Sequence, residues 1–338
     1  MKTGVLLINL GTPDSPSVKD VRKYLREFLN DPRVIDIPFL SRLLLVNLVI
    51  VPFRSSKSAA LYKKIWAGHS PLLANGIDVK EKLQKELGDN YSIQLGMRYQ
   101  NPSIESALEE LRKVHPEKII ILPLYPQYAS SSTGSSVAKA LKIIGSWEVT
   151  PDLRIVSKFY DRPDFIDAWV ETAKSYNLNE YDHILFSYHG LPERQIKKAA
   201  VHYGNDYCKF GKCCETIGEH NRYCYRAAAF ETTRQIAKKL NIPENKYTVS
   251  FQSRLGRTPW LKPYSDHVIV EKAKQGMKKI VVFSPAFVAD CLETLYEIGI
   301  EYDQLFKEHG GEKIQLVESL NSRPKWIATL KTMILEKS

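Results

Sequence analysis

Short apolar runs alternate with amphipathic stretches from one end of the chain to the other. Val5–Leu10, for example, is a short and mostly apolar run that stops at Gly11, as a buried strand would. After Ser17, apolar residues such as Val21 and Tyr24 recur at helical spacing. This alternation predicts an α/β fold in which helices cover both faces of parallel sheets. The strands are predicted at Val5–Leu10, Ser92–Tyr99, Lys118–Tyr125, Arg154–Phe159, His183–Tyr188, Thr248–Gln252, Lys279–Phe283 and Ile314–Val317.

The pattern repeats weakly at about half the length of the chain. The first run ends in NLGTP and the fifth ends in a similar polar turn, FSYHGLP. The third run, KIIILPLYPQY, resembles the later KIVVFSPAFVAD. We therefore predict two related doubly wound lobes, residues 1–176 and 177–338, with an active-site cleft between them. Ligands of open α/β sheets bind beyond the carboxyl ends of the strands, so we expect the chemistry there.

One stretch, Phe39–Phe53, is much more apolar than its surroundings. It contains Arg42 and Asn47 and is shorter than the roughly 20 residues that a membrane-spanning helix needs. Two interpretations remain open at this point. The stretch is either a buried core helix or an exposed apolar lip that docks on a membrane or meets a flat apolar substrate. The run at Val5–Leu10 is too short for a signal peptide, so we expect a cytoplasmic protein, with peripheral membrane contact if the lip is exposed.

The net charge of +10 favours an anionic partner. That partner could be a nucleic acid, a membrane surface or a small molecule that carries carboxylates. However, Lys and Arg are spread along the chain without long blocks of like charge, and they are not interleaved with aromatic residues as on a base-stacking surface. Nucleic acid is therefore the weakest of the three interpretations.

Two strand ends carry groups that could move protons. His189 follows the predicted strand His183–Tyr188, where an imidazole can accept a proton or ligate a metal near neutral pH. In ADCLETLYEIGIEYD, the residues Glu293, Glu297 and Glu301 would share one face of a helix. Carboxylates in a row repel one another, so they indicate a counter-charge, a cation path or a solvated face. A structural histidine and a solvated helix remain the alternatives to a functional role.

The cysteines form a compact group in the sequence. Four of the five follow the order Cys208-x4-Cys213-Cys214-x9-Cys224, and Cys291 stands apart beside the acidic row. In a reducing compartment, such a group indicates metal binding rather than disulfides. Zinc is a common occupant, but thiolates also suit an iron–sulfur cluster. The uneven spacing with its adjacent pair does not decide between these two metals.

The strand-end motifs together resemble those of the ferrochelatase family over nearly the whole chain. The segments NLGTPDSP, GMRYQNP, YPQYASSSTGSS, FSYHGLP, QSRLGRTPWLKP and FVADCLETLYEIGIEY occur in the family's order and spacing. The resemblance implies a lyase that inserts ferrous iron into protoporphyrin IX, the last step of haem synthesis, with release of two protons. It also implies that the cysteine group holds a [2Fe-2S] cluster, as in some bacterial members, which leaves zinc as the alternative.

The resemblance also implies roles for individual residues. His189 matches the active-site histidine and Glu293 its acidic partner across the cleft, as proton acceptors or as iron ligands. Glu297 and Glu301 continue the acidic row, and Phe39–Phe53 matches a hydrophobic lip. The expected cluster ligands are Cys208, Cys213, Cys214 and Cys224, and the expected porphyrin contacts are Leu10, Arg54, Tyr62, Ser70, Arg98, Tyr99, Trp260 and Phe287.

Two features depart from the family pattern. Cys291 stands where some members carry a histidine, so the role of that histidine does not transfer to this chain. The stretch GNDYC replaces a GDPY segment found in many members and leads into the cysteine group. Three alternatives therefore stay open. They are a chelatase for another metal or tetrapyrrole, a porphyrin carrier without chemistry, and an iron–sulfur sensor on a two-lobed scaffold.

Overall fold

The computed structural model describes residues 2–200, 204, 207–256 and 258–338. Part of the GNDYC stretch, Asn205 and Asp206, lies outside the described residues. Contacts divide the chain into two compact units. The first unit comprises the chain up to Tyr125, Ser130–Ser157 and Asn321–Ser338, and the second comprises Pro126–Ala129 and Lys158–Leu320. This grouping differs from the predicted division at residue 176, because residues 158–176 join the second unit and the C-terminal stretch joins the first.

Among the described residues, eight strands form two parallel sheets, one in each unit. Each sheet has four strands, and all eight predicted strands are present. The fourth is shifted toward the N-terminus relative to its prediction, since Phe159 leaves the sheet and packs fully buried against Phe165, with ring centroids 5.3 Å apart. The strands are β1 (Thr3–Gly11), β2 (Tyr91–Tyr99), β3 (Lys118–Pro123), β4 (Asp152–Ile155), β5 (His183–His189), β6 (Tyr247–Gln252), β7 (Lys279–Phe283) and β8 (Lys313–Leu316).

The two sheets share one topology. The strand order is β2-β1-β3-β4 in the first unit and β6-β5-β7-β8 in the second. In each sheet the first strand along the chain pairs on one side with the second and on the other with the third, all in parallel. The α/β class and the two related doubly wound lobes with parallel sheets are confirmed.

Helices connect the strands and cover the sheets. Ser17 caps the first helix, since its hydroxyl accepts a hydrogen bond from the Asp20 amide at 3.2 Å. The α-helices are α1 (Val18–Leu29), α2 (Phe39–Leu44), α3 (Val51–Ile65), α4 (Pro71–Leu87), α5 (Ile104–Arg112), α6 (Ser135–Ile144), α7 (Pro163–Ala173), α8 (Glu193–Ala199), α9 (Tyr225–Lys239), α10 (Ser265–Lys274), α11 (Asp303–Glu308) and α12 (Pro324–Leu335). Segments with the wider π-helical turn lie at Leu45–Ile50, Ser130–Gly134 and Glu293–Tyr302.

Each unit has its own hydrophobic core on the face of its sheet. In the second unit the buried side chains of Leu185 and Val282 on the sheet pack with Ile298, Tyr302 and Phe306 from the segment after β7. The acidic segment is therefore anchored to the sheet by its apolar side, which leaves its carboxylates on the remaining side.

The predicted apolar stretch is exposed. The helix Phe39–Ile65, formed by α2, a π-helical turn and α3, is 27 residues long and apolar enough by length and composition to cross a membrane. Core helices of soluble proteins can meet the same criterion, but they are buried, whereas only 22% of the most apolar part of this helix is buried. Phe53 is 80% exposed and Leu48 is 66% exposed. The stretch is therefore not a buried core helix, and its exposure is consistent with the predicted lip.

Candidate active site

The second sheet reverses its strand order at β5. Because β5 pairs with β6 on one side and β7 on the other, the connections leave in opposite directions and open a crevice beyond the carboxyl ends of these strands. His189 is the last residue of β5, and its register partner Gln252 is the last residue of β6. The acidic segment Glu293–Tyr302 follows β7. The predicted histidine and acidic row thus come together at one edge of one sheet.

The hydrogen bonds of His189 determine which ring nitrogen is available. Nδ1 lies 2.6 Å from the carbonyl oxygen of Gly190. A carbonyl only accepts, so Nδ1 carries the hydrogen and Nε2 presents its lone pair in the neutral ring. The backbone at this point is held as well, since the Tyr225 hydroxyl donates to the His189 carbonyl at 2.9 Å. The half-buried imidazole is therefore oriented with one nitrogen free to accept a proton or to ligate a metal.

Two aromatic residues flank this imidazole. The ring of Phe287 lies 6.4 Å from the His189 ring, measured between centroids. Trp260 packs against Gly190, where a Cβ would lie 3.3 Å from the indole and 2.9 Å from the carbonyl oxygen of Gln252. A glycine is thus required for this close approach. Trp260 and Phe287, both predicted as porphyrin walls, lie beside the histidine in the second unit.

The acidic row lies on a π-helical segment, whereas its spacing had suggested an ordinary helix. Thr294, Ile298 and Tyr302 are buried on one side of this segment. The row of carboxylates becomes more exposed along its length, since Glu293 is partly buried and Glu301 is exposed. Such π-helical turns are frequent at functional sites. The predicted row is present, and it runs from the sheet edge toward solvent.

Glu297 is the most strongly held carboxylate of the row. Its Oε1 accepts hydrogen bonds from the Ser253 amide at 3.1 Å and the Tyr302 hydroxyl at 3.0 Å. Its Oε2 accepts from the Ser253 hydroxyl at 2.6 Å and from the Gln252 side-chain amide at 3.1 Å. Ser253 has the left-handed φ of 58°, which brings both its amide and its hydroxyl to the carboxylate.

The surroundings of Glu297 act on its pKa in opposite directions. Burial raises the pKa, and the neighbouring Glu293 raises it further. The hydrogen bonds from Ser253 and Gln252 and the proximity of His189 lower it, but the net shift is upward. A carboxyl with a raised pKa can hold and release a proton closer to neutral pH than an ordinary glutamate can.

Two neighbours of the row keep their protons. Burial, followed by the proximity of Glu297, raises the pKa of Tyr302, so its hydroxyl remains a donor. Burial and the neighbouring Glu293 likewise raise the pKa of the Cys291 thiol well above its ordinary value. Cys291 is therefore a buried thiol whose raised pKa favours its protonated form.

Six of the predicted porphyrin contacts lie in the first unit. Arg98 donates to the buried Asp31 at 2.5 Å and to the hydroxyl of Ser135 at 2.6 Å. Tyr99 is fully buried, and its hydroxyl donates to the same Asp31 oxygen at 2.9 Å. Arg98 and Tyr99 thus share one buried carboxylate, and only Arg98 keeps part of its surface exposed.

The other four differ in exposure. Leu10 is half-buried near the carboxyl end of β1, and Arg54 is exposed on α3. Tyr62 is buried and packs edge-on against Tyr24, with ring centroids 6.4 Å apart. Ser70 is buried at the N-cap of α4.

The four cysteines that cluster in the sequence lie in the second unit as free thiols. Burial raises the pKa of Cys208 to about 12, and the neighbouring Cys213, Cys224 and Cys214 raise it as well. The guanidinium of Arg226 contacts the sulfur of Cys214 at 2.5 Å. Among the residues that the structure describes, no three His, Cys, Asp or Glu side chains are grouped around a single metal ion. The chemistry of four cysteines, one of them beside a cation, nevertheless fits the all-cysteine donor set of a [2Fe-2S] cluster.

Sequence reasoning missed Gln252, Ser253, Tyr302 and Tyr225 as parts of this site. Gln252 and Ser253 offered a signal, because QSRLG follows a predicted strand that neighbours the histidine strand. Tyr225 and Tyr302 offered none, since both read as apolar positions of helices.

Comparisons with known proteins agree with this architecture. A model of the family described as Ferrochelatase matches residues 2–338. The chain is 46% identical over 335 residues to the ferrochelatase of Coxiella burnetii (strain Dugway 5J108-111), covering 98% of this chain and 93% of the relative. It is 45% identical over 338 residues to that of Legionella pneumophila (strain Lens), with both chains fully covered. Among solved structures, SirB from Bacillus subtilis with Fe3+ has a TM-score of 0.54 at 12% identity, covering 99% of this chain and 95% of that chain, which shows a shared fold.

Proposed function

The chain belongs to the ferrochelatase family, and we propose that it inserts ferrous iron into protoporphyrin IX as the terminal step of haem synthesis. One observation supports the assignment of the site most directly. An oriented imidazole, His189, lies beside two aromatic side chains and a row of carboxylates at the reversal point of one sheet. A flat macrocycle needs aromatic walls, and metal insertion needs groups that accept protons.

The reaction exchanges two pyrrole protons for one ferrous ion. His189 accepts protons at Nε2, because Nδ1 is occupied by its donation to Gly190. Glu293 and His189 also offer iron an oxygen and a nitrogen ligand, so the two residues serve both metal and proton transfer. Glu297 receives protons at its raised pKa, and the exposed Glu301 passes them to solvent. The products are haem and two protons, as expected of a lyase of this family.

Binding energy distant from the ring nitrogens supports this chemistry. A planar porphyrin keeps its nitrogen lone pairs in the ring plane, so a distorted ring accepts iron more readily. Distortion of a substrate costs on the order of 1–5 kcal/mol, which apolar contacts elsewhere on the ring can offset. Trp260 and Phe287 supply such contacts in the second unit. In the first unit we assign porphyrin contacts to Leu10, Arg54, Tyr62 and Ser70, with Arg54 directed to the propionates. The predicted contacts Arg98 and Tyr99 instead bind the buried Asp31, so we assign them to the framework.

A direct assay tests the assignment. Anaerobic protein, protoporphyrin and ferrous iron should yield the absorbance spectrum of haem, and His189→Ala should abolish that conversion without loss of fold. Tight porphyrin binding without metallation would instead support a carrier. Faster insertion of cobalt or nickel, or faster use of coproporphyrin, would change the assigned metal or ring.

We assign the cysteine group to a [2Fe-2S] cluster. Cys208, Cys213, Cys214 and Cys224 would be its four ligands, and Arg226 would offset part of the negative charge of the thiolates. When bound, such a cluster supplies a one-electron redox centre. The anaerobic protein should contain two iron and two sulfide per chain with the corresponding visible bands. Each Cys→Ser variant should lose them, whereas stoichiometric zinc without sulfide would favour the alternative metal.

We assign a cytoplasmic location with peripheral membrane contact through the lip, Phe39–Phe53. Its exposed apolar side chains would insert at the interface, and the net charge of +10 would favour anionic lipid. Flotation with vesicles that contain phosphatidylglycerol should carry the protein upward. A variant with Leu48→Ser and Phe53→Ser should remain at the bottom, while Val149→Ser, which removes another exposed apolar side chain away from the lip, should still float.

A further inference from the structure

A chain of buried hydrogen bonds ends at the acidic row. Ser250 and Ser265 lie 2.8 Å apart between their hydroxyl oxygens, and Ser265 and Ser187 lie 2.9 Å apart. The Ser187 hydroxyl lies 2.7 Å from the side-chain carbonyl oxygen of Gln252. The three serines are fully buried and Gln252 is only 2% exposed, so water does not compete for these bonds.

The direction of every bond in this chain is determined. The amide nitrogen of Gln252 lies 3.1 Å from the Glu297 carboxylate and 3.1 Å from the main-chain carbonyl of Glu293. Both partners only accept, so the amide must point its NH2 group at them and its carbonyl oxygen at Ser187. Ser187 then donates its single hydroxyl hydrogen to Gln252 and must accept a hydrogen bond from Ser265.

Ser265 in turn donates its hydrogen to Ser187 and therefore accepts from Ser250. Four donors thus point in one direction and end on the carboxylate of Glu297. Hydrogen bonds aligned in series in a low dielectric strengthen one another. Because Gln252 and His189 are register partners on adjacent strands, this chain also fixes the distance between the acidic segment and the histidine strand.

We propose that Gln252, oriented by Ser187, is a positioning residue that holds Glu297 and the first turn of the acidic segment beside His189. The proposal rests on the proposed function for its catalytic meaning, but the positioning itself is a property of the fold. Gln252 is the residue of this network that contacts both the carboxylate of Glu297 and the backbone of Glu293.

Other groups also act on Glu297 and must be held constant in a test. His189 acts from the end of β5, Glu293 from the same segment, and Tyr302 donates from its far end. Tyr302 in turn is influenced by Asp266 on α10 and by Glu301. Substitutions at Gln252 or in the serine chain leave all of these charged and titratable groups in place.

The test measures the titration of Glu297 directly. In protein labelled at the glutamate carboxyl carbons, the Glu297 signal is assigned by its absence from Glu297→Gln and is followed by NMR against pH. Gln252→Leu, which keeps the volume but removes the donors, should raise the titration midpoint by about one pH unit, a tenfold change in the ionisation constant. Ser187→Ala should shift it in the same direction by a smaller amount.

Ser250→Ala is the matched control. It removes a fully buried hydroxyl from the same chain but leaves Ser265, Ser187 and Gln252 bonded to one another, so the midpoint should move little.

The acid limb of kcat for iron insertion should shift most in Gln252→Leu, less in Ser187→Ala and little in Ser250→Ala, with KM for porphyrin unchanged. An unshifted midpoint in Gln252→Leu, or equal shifts in Ser187→Ala and Ser250→Ala, would overturn the proposal. If Gln252→Leu does not fold, the Glu297 titration midpoints of Ser187→Ala and Ser250→Ala are compared instead, and the proposal requires the larger shift in Ser187→Ala. An inactive native enzyme would overturn the proposed function alone, because the NMR titration does not depend on activity.

Discussion

The Arg98 side chain offers a test of whether a predicted ligand-binding residue is instead part of the framework. It donates at 2.5 Å to Asp31, whose side chain is only 2% exposed, and its guanidinium carbon lies 4.5 Å from the centre of the Tyr99 ring. Asp31 also accepts from the hydroxyls of Tyr99 and Ser135. The Arg33 amide donates to its other oxygen at 2.7 Å, so the buried carboxylate depends on one cation and three neutral donors.

Arg98→Ala would remove the cation and leave Asp31 buried beside neutral donors alone. Breaking a buried ion pair by removing one partner costs about 3–5 kcal/mol, because the remaining charge is uncompensated. The Arg98 side chain is 16% exposed, so water can partly replace it and the lower end of that range is expected. In Arg98→Ala with Asp31→Asn, no buried charge remains, and about half of the loss should be recovered.

Hydrogen exchange of the β2 amides, Tyr91–Tyr99, is the suitable assay, since a chain of two units need not unfold in one step. The single variant should lower their opening free energy by about 3 kcal/mol, and the double variant should restore part of it. KM for porphyrin, measured on the same samples, reports ligand contact separately. A loss below about 1 kcal/mol together with a large rise in KM would refute the framework role and assign Arg98 to the propionates.

Three further predictions concern the second unit. Burial lowers the pKa of His183 from 6.5 to about 4, so the stability that depends on its neutral form is present above pH 6.5 and is lost as the pH falls toward 4. Urea unfolding of His183→Gln should lack that pH dependence. The dependence of stability on pH has the opposite sign for Glu297, because its raised pKa favours the folded state only while the carboxyl is protonated. Glu297→Gln should therefore raise Tm at pH 8 and change it little at pH 4. Gly190→Ala should lower kcat for iron insertion at least tenfold with the fold retained, since its Cβ would meet the Gln252 carbonyl at 2.9 Å and displace His189.

The sheets were predictable from the sequence because buried parallel strands are short continuous apolar runs between polar turns. Val5–Leu10 and Lys279–Phe283 are such runs, and both form strands at the predicted places. The boundary of β4 was less accurate, because Phe159 is apolar for a different reason. It is buried against Phe165, and apolar character alone does not distinguish a strand from a packed loop.

The candidate site was predictable only in part. His189 stood out because it directly follows a predicted buried strand, and Glu297 because it is one of three glutamates at helical spacing. The π-helical turn of Glu293–Tyr302 was not predictable, since a recurrence of four residues fits both helix types. The direction of the hydrogen bonds through Ser187 was also inaccessible, because serine in a strand reads as an ordinary small residue. Such bonds depend on which strands become neighbours.

The exposure of the lip was likewise not predictable from the sequence. Its composition indicated an apolar helix, but a buried helix and an exposed one need the same residues. Exposure of Phe53 and Leu48 depends on whether another part of the chain covers them, which is a tertiary property. The structure decided between two interpretations that the sequence had correctly left open.

The shared strand order of the two sheets explains where chemistry can occur, and the residues explain where it does. Each order reverses at the first strand of its unit, β1 or β5, so each sheet offers one crevice at its carboxyl edge. In the second unit β5 ends in His189, whereas β1 ends in Leu10 and Gly11, which carry no ionisable group. The proton chemistry that we propose therefore belongs to the carboxyl edge of the second sheet. Topology therefore selects the position and side chains select the reaction, so the likeness to a distant structure such as SirB shows a shared fold and does not identify the reaction.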